Sequence, residues 1–174
     1  MSEKPMIACG GSVLGFLAGR KTQTRRVHEK ARYAVGDIIY LKEAWSLEDT
    51  DGGGDMAAIA YRAGDTGEVH WKDVPKEWQQ RVLDMPWRAL RSPRFMPKWA
   101  ARIWLEVTEV RGQRLQDITP EDCLAEGLTS IEIDAYGGCV AAYADLWDTL
   151  NSARGYPWSS NPFVFAYTLK EVKR

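Results

Sequence analysis

The amino-acid sequence predicts an α+β fold in which two or three helices flank a mixed, mainly antiparallel β-barrel or strongly curved sheet. Two observations lead to this prediction. Short segments with alternating apolar residues recur along the chain, as strands with one buried face require, and few helical segments lie between them. The 174 residues, 45% of them hydrophobic, are enough for a single domain spanning 1–174 with a core of its own.

Local patterns predict each element in turn. The predicted strands are 6–9, 38–45, 57–62, 101–115 and 163–172, and the pattern is clearest at 38–45 and 101–115. The predicted helices are 13–18, 76–83, a short helix that begins at Thr119 and 139–151. Thr119 is a capping residue followed by Pro at the first helical position, and Gly127 supplies the residue type that ends helices.

Residues 46–99 are predicted to be an insertion. Their first part, 46–73, is acidic and glycine-rich, with Gly at 52–54, and is expected to carry a hairpin around the strand 57–62. Residues 74–99 contain four prolines and therefore form a long connection with at most one or two helical turns. The aromatic residues in that connection favour an ordered, functional loop.

Composition restricts the classes of protein. The formal net charge of −1 gives no overall attraction to nucleic acid or membrane, so any charged partner must bind a local patch. Three widely spaced cysteines and two histidines have no metal-ligand spacing, so we expect no disulfide framework, no metal and no cofactor. Because no stretch approaches the roughly 20 apolar residues of a membrane span, a cytoplasmic protein is expected.

The most informative segment is 19–26, GRKTQTRR, which brings together an amine, two hydroxyls and three guanidinium groups. Such a segment favours anion binding. In an extended segment, side chains two residues apart share a face, so Thr24 and Arg26 point one way while Lys21 and Arg25 point the other. A basic, solvated surface strand is the alternative interpretation.

Several segments together resemble ASCH-domain proteins, especially those of bacteriophages and prophages. The segments occur in the same order: GRKTQTRR at 19–26, VGDIIYLKEAW at 35–45, SPRFMPKWA at 92–100, ITPEDCLAEG at 118–127, LWD at 146–148 and WSSNPFV at 158–164. The set covers nearly the whole chain. The resemblance implies a PUA-like β-barrel, a fold associated with RNA binding, although a shared fold does not fix function.

Within this superfamily the chain is distantly similar to bacterial N4-acetylcytidine amidohydrolases. That resemblance implies three catalytic residues, Lys21, Thr24 and Glu126, which would act on an acylated nucleoside or base. Thr24 would attack the acyl carbon on an exocyclic amine, Lys21 would activate the hydroxyl, and Glu126 would act as general acid and base. The chain is much longer than those enzymes, so the substrate stays open.

Each of these residues also has an ordinary structural explanation. Lys21 could lie along the rim of the barrel with its amine in solvent, and Thr24 could be a strand residue without chemistry. Glu126 could pair with a nearby basic group.

Further residues are predicted to bind substrate. Arg25 and Arg26 would contact phosphate or ribose. Glu43, Trp45 and Arg102 lie where two predicted strands end or begin, so they could line a barrel mouth suited to a nucleobase.

A second class of function is a nucleic-acid-binding module, or a ribonuclease, without amidohydrolase activity. Arg91, Arg94 and Lys98 alternate with aromatic residues, as on surfaces that contact an RNA backbone, although a solvated proline-rich loop has the same composition. A third possibility is an adaptor that binds a protein through 46–73. The expected partner is therefore a nucleoside or RNA, and the oligomeric state stays open.

Overall fold

The computed structural model of the chain describes residues 2–50, 56–70, 73–86 and 88–173. These residues form eight β-strands and five α-helices. The strands are β1 (Glu3–Ile7), β2 (Gln23–Arg26), β3 (Ile38–Lys42), β4 (Trp45–Thr50), β5 (Met56–Tyr61), β6 (Asp65–His70), β7 (Trp104–Arg114) and β8 (Phe163–Glu171). The helices are α1 (Gly10–Leu17), α2 (Lys76–Leu83), α3 (Pro120–Ala125), α4 (Ser130–Ala135) and α5 (Cys139–Asn151). The predicted α+β class is confirmed.

The larger sheet has five strands in the order β1-β3-β7-β8-β2. Only β1 and β3 run parallel, and the other neighbours are antiparallel. Apolar residues of this sheet and of α1, among them Val13, Ile39, Leu41 and Tyr167, form a buried core. The sheet is therefore mixed and mainly antiparallel, as its sequence pattern predicts.

The predicted closed barrel is not formed by the described strands, because the two edge strands β1 and β2 do not pair with each other. Pro5 in β1 has no amide hydrogen to donate to a further strand. Side chains bridge this gap instead. The Tyr33 hydroxyl donates a hydrogen bond to the Pro5 carbonyl (2.8 Å), and Arg26 Nη2 donates to the Ile7 carbonyl (2.9 Å). We call the gap between β1 and β2 the seam.

The predicted insertion contains a sheet of its own, with strand order β4-β5-β6. Together with α2 this sheet buries a second core that includes Trp45, Leu47, Ile59 and Val82. The structure thus has a three-stranded sheet where the sequence predicted a hairpin. Parts of the segment 46–99, including the glycines at 52–54, lie outside the described residues.

The helices α3, α4 and α5 pack over a third core near β2 and β8, with Leu115, Cys123, Ala142 and Trp147 at its centre. Thr119 caps α3 as predicted, since its hydroxyl accepts a hydrogen bond from the Asp122 amide at 3.2 Å. Among the described residues, none of the helices has the length and apolar character that crossing a membrane requires.

One predicted strand is divided in the structure. Residues 38–45 were expected to form one strand, but β3 ends at Lys42 and Trp45 already belongs to β4 in the other sheet. The chain passes from the first core to the second at this point. Glu43 is buried there and pairs with Arg102, with Oε1 2.8 Å from Nε. The apolar residues before and after Glu43 are buried in two different cores, and in the sequence their combined pattern resembles that of one long strand.

Candidate functional site

A cavity of about 650 Å³ lies at the seam. Its walls come from β1, α1, β2 and the helical region around α3 and α5. The three residues predicted to be catalytic, Lys21, Thr24 and Glu126, all line this cavity although Glu126 lies more than a hundred positions from the other two. Folding therefore places all three residues in the wall of the same cavity, and it brings the Lys21 amine and the Glu126 carboxyl group into direct contact.

Two glycines allow Lys21 to take its position. A Cβ atom on Gly15 of α1 or on Gly127 after α3 would lie 3.0 Å from Lys21 Cβ, which is tighter than ordinary packing permits. Gly127 also has φ +95°, a conformation that side chains rarely adopt. The backbone amide of Lys21 donates to the Gly15 carbonyl at 3.0 Å. Lys21 is thus held between the end of α1 and the end of α3.

The Lys21 amine and the Glu126 carboxylate form a buried ion pair. Nζ lies 2.5 Å from Glu126 Oε2 and also donates to the Glu126 backbone carbonyl at 2.8 Å. The second carboxylate oxygen, Oε1, accepts a hydrogen bond from Arg25 Nη1 at 3.0 Å. Both oxygens of Glu126 are therefore occupied by cations, which fixes the orientation of the carboxyl group.

Arg25 extends this network to three further side chains. Its Nη2 donates to Asp122 Oδ2 and its Nη1 to Gln23 Oε1, both at 2.6 Å. The other oxygen of Asp122 accepts from Arg111 Nη2 at 2.6 Å. Burial opposes ionisation of Asp122, but the hydrogen bond from Arg111 and the charge of Arg25 outweigh it, so the pKa of this carboxyl group is below its usual value. These contacts give Arg25 a supporting role that sequence reasoning did not assign.

Sequence reasoning also missed Gln23 and Asp122, although weak signals for both exist. Gln23 lies two residues from Lys21 and from Arg25, so all three share a face of an extended segment. Asp122 precedes Glu126 by four residues, which is one turn of a helix, so both carboxylates face the same way. Neither spacing is specific without knowledge of the partner element.

Thr24 is buried, with 5% of its surface exposed, and lines the cavity. Its hydroxyl forms no side-chain hydrogen bond with any described residue. Its position in β2 puts its side chain on the opposite face from Gln23 and Arg25, and the cavity extends around this edge strand. A hydroxyl in such a position is available to a bound molecule.

Tyr143 of α5 is a further cavity residue, which sequence reasoning did not assign to the site. Burial, followed by the neighbouring Glu126 carboxylate, raises the pKa of Tyr143 well above its usual value. The Arg25 guanidinium lies 5.9 Å from the centre of its ring. Tyr143 is thus a neutral phenol beside the charged network.

Cys9 precedes α1 and also lines the cavity. Burial raises the pKa of its thiol, but hydrogen bonding with Ser12 and the charges of Lys21 and Arg26 act in the other direction and prevail, so the pKa is lowered. The positive potential of the cavity thus reaches a group outside the Lys21 network.

The described lining is strongly basic. It contains eight Lys and Arg residues and only two acids, Glu126 and Glu132. Glu132 is engaged in the cap of α4, where its carboxylate accepts a hydrogen bond from the Thr129 amide at 2.7 Å. The predicted substrate-binding residues Arg25 and Arg26 and the predicted nucleic-acid contact Arg94 all line this cavity.

Other predicted site residues are placed elsewhere. Glu43 and Arg102 form the ion pair between the two sheets, and the Arg102 guanidinium lies 4.1 Å from the centre of the Tyr61 ring. Trp45 is fully buried in the second core. The structure does not bring these three predicted substrate-binding residues to the cavity. They were expected to line the mouth of a barrel, but they lie where the chain passes between the first and the second core.

The remaining two predicted nucleic-acid contacts also lie away from the cavity. Arg91 stacks over the Trp45 ring at 5.3 Å and borders a separate groove near α2. Lys98 pairs with Glu3 and lies over the Trp104 ring. In the part of the chain that the structure describes, no three His, Cys, Asp or Glu side chains are grouped so that they could hold a metal ion.

Comparisons with known proteins give similarity to solved structures alone, since no family model and no curated protein matches the sequence. An ASCH domain from Lactobacillus crispatus JV V101 is similar with a TM-score of 0.49 and 9% identity, over 98% of this chain and 79% of that chain. A protein from Enterococcus faecalis V583 assigned to DUF984 is similar with a TM-score of 0.47 and 12% identity, over 98% of this chain and 76% of that one. Roles for individual residues must therefore come from this chain's own geometry.

Proposed function

We propose that this chain is an amidohydrolase that removes an acyl group from the exocyclic amine of a nucleoside or base of the N4-acetylcytidine type. The observation that carries the proposal is that three buried residues, Lys21, Thr24 and Glu126, all line one cavity. Amide hydrolysis needs a nucleophile, a base that activates it and an acid that protonates the leaving amine. The three side chains supply these groups.

The proposed reaction has two steps. In the first, a proton passes from Lys21 Nζ to Glu126 Oε2 across their 2.5 Å contact, and the neutral amine then accepts the Thr24 hydroxyl proton. Thr24 Oγ1 bonds to the acyl carbon, the C–N bond breaks, and the Glu126 carboxylic acid protonates the leaving amine. In the second, Glu126 takes a proton from water as the water oxygen bonds to the acyl carbon of the Thr24 ester. The bond from the acyl carbon to Thr24 Oγ1 then breaks, Glu126 returns its proton to Oγ1, and the carboxylic acid is released.

The surrounding residues support this division of roles. Arg25 holds the second oxygen of Glu126, so the carboxyl group keeps one orientation while its protonation changes. Tyr143 contributes a neutral hydroxyl near the same carboxylate. The unused hydroxyl of Thr24 loses no internal hydrogen bond when it attacks a substrate. Each feature favours a reacting site over a purely structural ion pair.

The proposal extends to the kind of domain. We take residues 1–174 as one ASCH-like domain of the phage and prophage type, with 46–99 inserted. The order of the sequence segments supports this assignment, as does the mainly antiparallel sheet with helices packed at one end. The PUA-like barrel would then be represented here by a curved sheet that stays open at the seam.

The test is an assay of the purified protein with N4-acetylcytidine, in which cytidine is separated and measured. We expect Thr24→Val to lower the rate at least about a thousandfold, since it removes the nucleophile with little change of shape. The matched control is Thr22→Val, two residues earlier at an exposed position. Melting temperatures of both variants should stay near that of the wild type. Cytidine formation by Thr24→Val at the wild-type rate, or none by the folded wild type, rejects the proposal.

An RNA-binding module or ribonuclease is the second candidate function, and the basic lining of the cavity favours it. Such a protein should bind a short single-stranded RNA with an affinity that falls steeply as salt is added. Because Arg94 lines the cavity and Lys98 does not, Arg94→Ala should weaken RNA binding more than Lys98→Ala. Fluorescence anisotropy with a labelled oligonucleotide measures both effects. Equal effects of the two variants would place the RNA elsewhere.

A further inference from the structure

Four basic side chains meet at one part of the cavity wall. Arg26 ends β2, His28 and Arg32 follow in the next loop, and Arg154 lies beyond α5, and all four line the cavity. Burial lowers the pKa of His28, and the positive charges of Arg32, Arg26 and Arg154 lower it further, in that order. All three guanidinium groups therefore lie close enough to His28 to repel a proton on its ring. We call these four residues the basic cluster.

Among the residues that the structure describes, the basic cluster has no counter-ion. None of its three arginines forms an ion pair with a described residue, and Glu29, which follows His28 in the sequence, forms none either. Elsewhere the buried Arg25 has two carboxylate partners, at 2.6 and 3.0 Å. The planar fork of a guanidinium group matches the geometry of phosphate and carboxylate oxygens, so arginines without a protein partner are suited to bind an anion.

The hydrogen bonds of the basic cluster leave donors unused. Arg26 Nη2 donates to the Ile7 carbonyl, but Arg26 Nε is buried and has no hydrogen-bond partner. Arg154 Nη1 donates to Asn151 Oδ1 at 3.3 Å. A buried N–H group without a partner is costly. The two acids of the cavity do not neutralise the basic cluster, since Glu126 is held by Lys21 and Arg25 and Glu132 by Thr129.

We propose that the basic cluster is a phosphate subsite, so that the cavity takes a phosphate ester of a nucleoside in preference to the free nucleoside. This inference rests on the proposed function for the acylated base, which would lie against Lys21 and Thr24 at another part of the same cavity. A phosphate monoester carries a charge of about −1.5 to −2 at pH 7 and three acceptor oxygens, which suits several forked donors. The cavity volume of about 650 Å³ lies within the usual range for small-molecule sites.

The test compares a nucleoside with two ligands that carry the same acylated base and a phosphate, and it uses Thr24→Val protein so that no ligand is consumed. Isothermal titration calorimetry would give the affinities for N4-acetylcytidine, N4-acetylcytidine 5′-monophosphate and an N4-acetylcytidine dinucleotide with a single phosphodiester. We expect the monophosphate to bind at least about tenfold more tightly than the nucleoside, because one charge-assisted hydrogen bond has roughly that effect. Added salt should reduce this advantage.

Arginine variants then locate the effect. Adding Arg32→Ala and Arg154→Ala together to the Thr24→Val protein should remove the advantage of the monophosphate and leave the affinity for the nucleoside within about twofold. The control is Arg62→Ala, which removes an exposed arginine that is not part of the cavity wall. We expect this control to leave all three affinities unchanged. Both arginines of the double variant are exposed, so the fold should be preserved.

The outcomes separate the two proposals. Equal affinity for nucleoside and monophosphate overturns the phosphate subsite, whether or not the wild type hydrolyses N4-acetylcytidine. A tenfold preference for the monophosphate in a protein that hydrolyses neither ligand keeps the subsite and rejects the amidohydrolase. Tighter binding of the dinucleotide than of the monophosphate supports the subsite with the RNA backbone as the source of the phosphate, and the reverse order supports a free nucleotide. A phosphate preference that survives the double arginine variant overturns the assignment to these residues.

Discussion

Removing one charge of the Lys21–Glu126 pair should destabilise the protein far more than removing both. At 2.5 Å and an effective dielectric constant near 20, two unit charges attract by about 7 kcal/mol. The cost of taking each ion out of water is several kcal/mol, so the net contribution of the intact pair is small. A single buried charge without its partner keeps that cost, and we expect a loss of about 3–5 kcal/mol.

The variants that test this are Lys21→Met, Glu126→Gln and the double variant. Glu126→Gln should be the more damaging single change, because it leaves a buried ammonium facing a neutral amide. Lys21→Met should cost nearer 3 kcal/mol, since Arg25 still neutralises Glu126. A loss of this size lowers the melting temperature of a chain this long by about 10 °C.

Urea denaturation followed by circular dichroism gives the three free energies of unfolding, and the N4-acetylcytidine assay gives the three rates. The double variant should be more stable than the sum of the single losses implies, by more than about 1 kcal/mol. All three variants should be inactive, because the proposed base or acid is missing from each. Additive losses within about 0.5 kcal/mol would show that the pair is not coupled as the geometry indicates. Activity in the stable double variant would refute the catalytic roles.

Two further changes test the surroundings of the site. Gly15→Ala places a methyl group 3.0 Å from Lys21 Cβ and should displace the Lys21 side chain. We expect the rate of N4-acetylcytidine hydrolysis to fall about tenfold or more. Gly11→Ala is the control and should have little effect, because the added methyl group has open space around it. The hydrogen bond from Lys4, followed by that from Ser2, lowers the pKa of Asp37 in the folded protein. The Asp37 carboxylate therefore stabilises the fold at pH values above its unfolded-state pKa of about 4. This stabilisation is lost as the pH falls through the lower pKa of the folded state. Asp37→Asn should therefore lower the free energy of unfolding at pH 7, measured by urea denaturation, by about 1.5–3 kcal/mol. The difference in stability between wild type and variant should shrink as the pH is lowered, and a difference that stays the same at acidic pH would contradict this explanation.

Elements set by local chemistry could be predicted from the sequence. The ranges 76–83 and 139–151 match α2 and α5, because an amphipathic pattern and its boundaries are contained in the segment itself. The start of α3 was equally readable from Thr119 and Pro120. By contrast, α4 was not predicted, although Thr129 and Glu132 form a capping box, a motif that indicates the start of a helix.

Features that depend on distant partners could not be predicted in this way. The division of the predicted strand 38–45 follows from burial of Glu43 against Arg102, which lies 59 residues further along the chain. The pairing of Arg25 with Asp122 is a choice among many acids, and the sequence does not name it. The meeting of Lys21 with Glu126 was expected only from the resemblance to known enzymes, since their separation of 105 residues leaves no local pattern.

The open seam links the architecture to the chemistry. Exposed sheet edges tend to pair with other strands, and proteins protect them with proline, charged side chains and short strands. Here β1 carries Pro5, and β2 has only four residues, two of them arginines. Because the edges cannot pair, a space remains between them, and the side chains that prevent pairing become its walls. Arg26 illustrates both roles, since one of its nitrogens bridges the seam to Ile7 while another is left without a partner inside the protein. A cavity formed in this way is basic for structural reasons, and an anionic ligand is the partner that such a wall favours.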